Sequence, residues 1–457
     1  MAAVCVIVHV DPAAAQAQYS QPMFLELVRD PGRADVPKTA KSLALAGVAV
    51  TSGTADDAVA SPGSLMLGSG TDVVASYGSF SYARNEVANT PNQLPPFDPT
   101  RRISAASTTP VGYVAVATRG ARWAAAGFYD ATSRQTHAFA TAKSTLFSTS
   151  LFPTTLIETG TGAASMSQSA TRVGGSVAAG SRRARAGVGV SVYMIRSDYV
   201  AEATDTIEVG SSSISNPIFT TFCCIVDRDR VEIQNWAPGV AVSGVIAPAR
   251  HLTLAARWRR EPTFQAVREL SLTQRPATPE SRLNHDVEFR LPAGYGVSAI
   301  ATAGATTILA DLSRELYAGV FSPLMSATFD PNYVCGQLVP GACPGWNFPY
   351  HDTKDTTTVK VAIEQTIPVG RSRMALRGGI AFEPGYTLAR LATDPSTRRT
   401  LSLPAPPIVT DLEPPRESST WLSAGVAYAW GAAEIGAGVG HAHDQTRLLV
   451  DVRLRSR

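Results

Sequence analysis

The stretch that decides the fold reads GVAVSGVIAPARHLTLAARWRR at 239–260 and FRLPAGYGVSAIATAGATTILADLSREL at 289–316. In both segments apolar residues alternate with small or polar ones, a short turn follows, and the alternation resumes. This period of two around a tight turn predicts a β-hairpin with one apolar and one polar face. In a water-soluble sheet the apolar face would pack on a core. In an outer-membrane barrel it would face lipid, and the polar face would line the lumen.

The same alternation recurs elsewhere in the chain, and it predicts further strands there. These strands are expected at 111–118, 121–130, 188–194, 359–363, 374–380, 422–430, 435–439 and 450–454. Polar, Pro-rich or weakly periodic stretches between them are predicted to be loops, namely 85–107, 150–167, the start of 200–235, and 317–355.

Length and composition leave two architectures open. The chain has 457 residues, a formal net charge of +3 and 17% charged residues, against about 25% in a typical soluble domain. Its length fits either two to three soluble domains or one large barrel. Beyond the N-terminus no run of about 18 apolar residues predicts a transmembrane helix, so a membrane-spanning form would be a closed barrel. The near-neutral charge balance gives no support for nucleic-acid binding.

Two segments carry a family resemblance. The run FRLPAGYGVS at 289–298, followed by ILADL at 308–312, resembles a hairpin of the FadL-type outer-membrane transporters of long-chain fatty acids. The runs AKSLALAGVAV at 40–50 and ADDAVASPGSL at 55–65 resemble the N-terminal hatch of that family. In the second run Ser61, Gly63 and Ser64 stand where the family's Asn-Pro-Ala-Gly-Leu signature has Asn, Ala and Gly.

The resemblance implies an all-β fold, a transmembrane antiparallel β-barrel of about fourteen strands whose lumen is plugged by a hatch. The expected domains are a hatch at 18–65 and a barrel with long extracellular loops at 66–457. It further implies a monomer in the bacterial outer membrane that contacts lipid and lipopolysaccharide. The implied hatch residues are Gly47, Asp56, Asp57, Ser61, Pro62, Gly63 and Leu65.

The implied function is passive uptake of hydrophobic molecules such as long-chain fatty acids or aromatic hydrocarbons. Neither a cofactor nor a metal ion is expected, and the chain is not expected to be an enzyme, because no Gly-x-Ser-x-Gly elbow is present. A lipid hydrolase would need a Ser and a His within hydrogen-bond reach. A second alternative is a related barrel that acts as a binding or scaffold component of a protein secretion system. The ligand-binding residues are not predicted.

Several smaller features complete the interpretation. Residues 1–17 are predicted to be a secretory signal peptide cleaved before Gln18, since AQA at 15–17 follows an apolar run. Cys335 and Cys343 bracket a short loop and form either a disulfide or two free thiols.

Two groups of side chains are weighed as ligand sites. His441 and His443 with Asp444 make a His-x-His-Asp pattern, which is interpreted as a loop or lumen feature because no third metal ligand is evident. Some arginines could bind a carboxylate head group, or could contact lipopolysaccharide or loop water. These are Arg182, Arg183, Arg185, Arg257, Arg259 and Arg260.

Overall fold

The computed structural model describes most of the chain from residue 37 onward. The described residues are 37–50, 53–89, 100–148, 154–181, 183–211, 218–274, 281–318, 320, 351–352, 354–384, 389–390, 418–442 and 445–456. Among them no helix combines the length and the hydropathy needed to cross a membrane. The predicted signal peptide at 1–17 and the pair Cys335 and Cys343 lie outside the described residues.

In the described part of the chain, three short helices precede the strands. They are α1 (Ala40–Ala44), α2 (Asp57–Ala60) and a 3₁₀ helix (Pro62–Leu67). The strands of the first half are β1 (Gly70–Asn89), β2 (Thr100–Arg119), β3 (Trp123–Ser148), β4 (Thr154–Gly180), β5 (Ala184–Ser211), β6 (Ile218–Ala249), β7 (Leu252–Arg260), β8 (Thr263–Gln274) and β9 (Ser281–Arg290). Those of the second half are β10 (Ala293–Ala303), β11 (Thr306–Leu316), β12 (His351–Asp352), β13 (Thr356–Val369), β14 (Ser372–Glu383), β15 (Ala389–Arg390), β16 (Ser419–Trp430), β17 (Ala433–Ala442) and β18 (Gln445–Ser456).

Sixteen of these strands form one antiparallel sheet, and β12 and β15 form a separate pair. Fourteen strands of the large sheet close into a barrel. The ring runs from β1 to β7, continues through β10, β11, β13, β14, β16 and β17 to β18, and closes where β18 pairs with β1. The remaining two strands, β8 and β9, form a hairpin that pairs with β6. The predicted fourteen-stranded antiparallel barrel is therefore confirmed.

The alternation in β18 shows which face points where. Val450, Val452 and Leu454 are about half exposed, whereas Asp451 and Arg453 between them are almost fully buried. A soluble sheet would bury the apolar set and expose the charges. Here the apolar side chains form the outside of the barrel and the charged ones point into the lumen, the arrangement of a barrel that lies in lipid.

The two ends of the barrel differ. At one end six short turns join β2–β3, β4–β5, β6–β7, β10–β11, β13–β14 and β16–β17. We call these turns the short-turn rim. Most of the long connections lie at the other end. Because barrels of this type have short periplasmic turns and longer extracellular loops, the short-turn rim is the periplasmic end.

Strands β1 to β6 are 20 to 32 residues long, although about 9–11 residues suffice to cross a bilayer. They extend the barrel wall on the side of the long connections. The prediction of loops at 85–107 and 150–167 was wrong for most of these residues, because β1, β2 and β4 occupy them. The same holds for the start of 200–235, where β5 continues to Ser211.

Two prolines interrupt the wall at one level. Pro262 separates β7 from β8, and Pro292 separates β9 from β10. Proline has no N–H to donate to a neighbouring strand, so a regular ladder ends there. The two breaks are tied together, since the Leu291 amide donates a hydrogen bond to the Pro262 carbonyl oxygen at 3.1 Å. Below this level β7 pairs with β10, and above it β8 pairs with β9.

Candidate binding site inside the barrel

The described residues before β1 lie in the lumen. We call residues 37–50 and 53–68 the luminal segment. Nearly all of its side chains are buried. The helix α1 packs against β16, β17 and β18, while the 3₁₀ helix packs against β4, β5 and β6 on the other side of the ring. The segment therefore spans the lumen from wall to wall.

Wall side chains hold the first part of the segment. The Lys360 ammonium on β13 donates a hydrogen bond to the Gly47 carbonyl oxygen at 2.8 Å. The Ser423 hydroxyl on β16 does the same to the Ala44 carbonyl oxygen at 3.2 Å. These carbonyls lie at the end of α1 and just beyond it, where a helix leaves carbonyl groups without a helical partner. Gly47 has a φ of +70°, a left-handed conformation that glycine adopts without steric cost.

Asp56 joins the segment to the last strand. Its Oδ2 accepts a hydrogen bond from the Arg453 guanidinium at 2.9 Å and another from the Thr39 hydroxyl at 3.0 Å. The Arg453 side chain is fully buried. Burial alone would raise the pKa of Asp56, but the charge of Arg453 and these hydrogen bonds outweigh it, so the pKa lies below its ordinary value. Asp57 acts locally, accepting a hydrogen bond from the Gly53 amide at 2.9 Å.

The run from Ser61 to Leu65 is pressed against the wall. The Gly63 amide donates to the Ser243 hydroxyl on β6 at 2.7 Å. A Cβ at Gly63 would come within 2.8 Å of the Ser243 carbonyl oxygen, so only glycine fits there. Across the contact, a Cβ at Gly187 on β5 would meet the backbone of Pro62 and Gly63. The Ser61 and Ser64 hydroxyls hydrogen-bond each other at 2.8 Å.

Leu65 ends this run in an apolar cluster, where it packs with Ala55, Val74, Tyr113 and other buried side chains of β1 and β2. Its carbonyl oxygen accepts a hydrogen bond from Arg119 Nε at 2.7 Å. The seven residues that the family resemblance implied thus all lie in the luminal segment, although they contact different parts of the wall.

A network of buried polar side chains runs along the inner face of the wall near α2. Lys38 pairs with Asp130 at 3.0 Å, and Asp130 pairs with Arg172 at 2.8 Å. Arg172 donates to the Tyr193 hydroxyl at 2.8 Å, which in turn donates to Glu261. Arg259 continues the network by pairing with Glu261 at 3.1 Å and with Glu315. Because Glu261 immediately precedes Pro262, the network links Lys38 of the luminal segment to the break in the wall.

A small pocket, partly open to solvent, lies between α2 and this network of polar side chains. Its lining combines aliphatic, aromatic and charged side chains: Ala58, Val59, Phe128, Arg172, Val190, Ser191, Tyr193, Val240, Ala241, Arg259 and Glu261, with Gly189. Within the described residues, Arg172 Nε has no hydrogen-bond partner. Apolar contact surface combined with a few polar groups is typical of a small-molecule site.

The arginines weighed from the sequence separate into two groups. Arg257 and Arg259 are buried, and Arg257 makes a bidentate pair with Asp311 at 2.6 and 2.9 Å. Arg183 and Arg260 are exposed at opposite ends of the barrel, Arg185 is partly buried at the short-turn rim, and Arg182 lies outside the described residues. Asp311, which belongs to the run ILADL at 308–312, therefore accepts both hydrogen bonds of a luminal ion pair.

The predicted histidine pattern is only partly described. His441 Nδ1 lies 3.0 Å from the Thr446 hydroxyl, in an exposed position, while His443 and Asp444 are outside the described residues. The described part of the chain contains no cluster of three or more His, Cys, Asp or Glu side chains that could hold a metal ion.

These features define a class of protein: a lipid-facing antiparallel β-barrel whose lumen holds an N-terminal segment. No family model matches the chain, and no curated protein matches its sequence. Solved structures do match it in fold.

A Pseudomonas aeruginosa FadL homologue matches with a TM-score of 0.55 at 10% identity, over 92% of this chain and 98% of the homologue. The TodX monoaromatic hydrocarbon channel deltaS2 mutant gives 0.55 at 11%, covering 92% and 99%. The CymD monoaromatic hydrocarbon channel gives 0.51 at 11%, covering 93% and 98%. The chain therefore has the FadL-type barrel fold, as the sequence resemblance implied.

Proposed function

We propose that the protein is an outer-membrane channel for the passive uptake of hydrophobic small molecules, long-chain fatty acids or aromatic hydrocarbons among them. The observation that carries the proposal is the pocket between the luminal segment and the wall, inside a barrel with a lipid-facing exterior. The FadL-type fold supports it, since solved structures with that fold are named as hydrocarbon channels.

The physical task of such a channel is to shield an apolar solute. The polar head-group layer of the outer membrane resists apolar molecules, whereas a pocket lined by Phe128, Val59, Val240 and Ala241 offers them contact surface. No covalent step is needed, so the proposal requires neither a cofactor nor a catalytic residue. We propose that the luminal segment is the hatch, and that it must shift before a ligand passes, because it spans the lumen. The proposed channel works as a monomer among outer-membrane lipid and lipopolysaccharide.

A second candidate function is a binding or scaffold barrel in a secretion system. The observation that favours it is the number of wall contacts on the luminal segment, including Lys360 to Gly47 and Arg453 to Asp56. A permanently blocked lumen would suit a scaffold. The break at Pro262 and Pro292 favours the channel, because a wall that is interrupted beside the pocket offers a route for a ligand.

The pocket can be tested with two neighbouring residues of β6. Ala241 is buried and lines the pocket, whereas Val242 is exposed on the lipid side. We expect Ala241→Phe to fill the pocket and lower saturable binding of labelled oleate and labelled toluene by the purified, folded barrel. The matched control Val242→Phe should bind like the unaltered protein. Equal binding by all three proteins, or no saturable binding at all, would contradict the proposed site.

A further inference from the structure

The short-turn rim carries exposed arginines on three successive turns of the ring. They are Arg122 between β2 and β3, Arg183 between β4 and β5, and Arg250 between β6 and β7. Neighbouring strands lie about 4.8 Å apart, so turns two strands apart are separated by about 10 Å. A fourth exposed arginine, Arg371, lies in the β13–β14 turn.

This positive charge is not balanced locally. The six turn sequences contain no Asp or Glu. Among the described residues, the ion pairs closest to this rim involve Arg119 and Arg455, which pair with Asp72 and Glu434, and not Arg122, Arg183 or Arg250. The rim therefore presents a row of guanidinium groups to whatever lies beside it.

The opposite end of the barrel is different. There Arg230 pairs with Asp198 at 3.1 Å and with Glu232 at 3.5 Å. Arg314 pairs with Asp355 at 3.1 Å, and Arg290 pairs with Glu288. These three arginines have acidic neighbours that compensate their charge, unlike Arg122, Arg183 and Arg250 in the short-turn rim.

The position of these arginines relative to the apolar band of the barrel identifies what they contact. Trp123, next to Arg122, is half exposed on the outer face of the barrel, and Leu252 and Val369 are exposed beside Arg250 and the β13–β14 turn. These side chains mark the edge of the apolar band, and tryptophan is enriched at the membrane–water interface. Guanidinium groups one or two residues beyond that edge lie at the level of the lipid head groups.

We propose that the row Arg122, Arg183 and Arg250 binds anionic phospholipid head groups of the leaflet on the short-turn side. Arginine pairs with phosphate through two parallel hydrogen bonds, which suits a phosphodiester. A basic side chain close to an anionic surface strengthens association by about fivefold. The bound lipids would hold the barrel at a fixed depth in the membrane. The inference uses the membrane placement of the barrel but is independent of what the lumen transports.

The test measures which lipids the folded protein retains. The purified full chain is placed in nanodiscs of phosphatidylcholine with one-fifth phosphatidylglycerol, and the lipids that stay bound after extraction are counted by native mass spectrometry. The test variant carries Arg122→Gln, Arg183→Gln and Arg250→Gln. The matched control carries Arg230→Gln, Arg290→Gln and Arg314→Gln at the opposite end. Heat-modifiable mobility on a gel confirms that each protein is folded.

The unaltered protein should prefer phosphatidylglycerol, and the test variant should lose about fivefold of that preference at each altered turn. The preference of the unaltered protein should also weaken when salt is raised from about 0.1 M to 1 M, because the screening length falls from about 10 Å to 3 Å. An unchanged preference in the test variant, or an equal loss in the control, would overturn the proposal. Binding of an oligo-glutamate peptide to the rim without any phosphatidylglycerol preference would assign it to an acidic protein instead.

Discussion

Adding one methyl group to the wall tests how tightly the luminal segment is seated. In a Gly187→Ala variant the new Cβ would lie 2.6 Å from the Gly63 nitrogen and 2.7 Å from the Pro62 carbonyl carbon. Ordinary contacts begin near 3.4 Å, so backbone must move by several tenths of an ångström. Overpacking of this kind costs about 1–3 kcal/mol.

We expect the luminal segment, and not β5, to be destabilised. The segment is held by separate side-chain contacts, whereas β5 is paired along its length on both sides. We therefore expect the free energy of local opening of residues 53–68 to fall by about 1–3 kcal/mol. Since 1.4 kcal/mol corresponds to a factor of ten, their amides should exchange with solvent about five to 150 times faster. Exchange in β4, β5 and β6 should stay unchanged.

The assay is hydrogen–deuterium exchange followed by mass spectrometry on the folded barrel. Gly112→Ala is the matched control, since a Cβ at Gly112 on β2 meets nothing within 4 Å. It reproduces the general effect of alanine for glycine in a strand without touching the segment. Equal exchange of residues 53–68 in both variants, or opening of the strands around Gly187 in place of the segment, would contradict this expectation.

Three further predictions follow from the same geometry. Asp56→Asn leaves the buried Arg453 without its closest partner and should destabilise the luminal segment by about 3 kcal/mol, measured by exchange of residues 53–60. Because the folded pKa of Asp56 is lowered, its contribution in the unaltered protein should be present above about pH 4 and lost as the pH falls through the folded value; Asp56→Asn should lack this loss. Tyr193→Phe removes the hydroxyl that joins Arg172 to Glu261 and should lower the folding free energy by about 1–3 kcal/mol. It should also weaken ligand binding, and unchanged binding would contradict this expectation. Val450→Arg puts a charge on the lipid face and should cost about 2–4 kcal/mol of folding free energy in bilayers. An unchanged folding free energy would contradict the placement of that face in lipid.

Much of the barrel could be predicted from the sequence because lipid and lumen impose opposite requirements on alternate residues. In 422–430 and 450–454 every second residue is apolar, and both segments are strands. The wall beyond the apolar band has no such requirement. Residues 85–107 and 150–167 are rich in small and polar side chains without a clear period, so the sequence favoured loops where β1, β2 and β4 lie.

The position of the luminal segment was implied by a resemblance in two short runs, but its contacts could not be predicted. They join residues that are far apart in sequence, such as Asp56 and Arg453, 397 positions apart, or Gly47 and Lys360, 313 apart. Strand register decides which inward side chains meet, and a shift by one residue would turn each of them to the other face. Arg172, Tyr193 and Glu261 left only a weak signal, namely polar residues in a strand-forming sequence.

The most direct test of the proposed function is the initial rate of uptake of labelled oleate and labelled toluene by transporter-deficient cells that express this protein. Cells expressing a form without residues 18–64 serve for comparison, and entry of a small sugar reports an open pore. We expect selective uptake of at least one apolar compound by the full chain, and loss of that selectivity together with sugar entry after the deletion. If the full chain is folded in the outer membrane and neither compound enters faster than in cells without it, uptake of these hydrophobic molecules is contradicted and the scaffold alternative gains support.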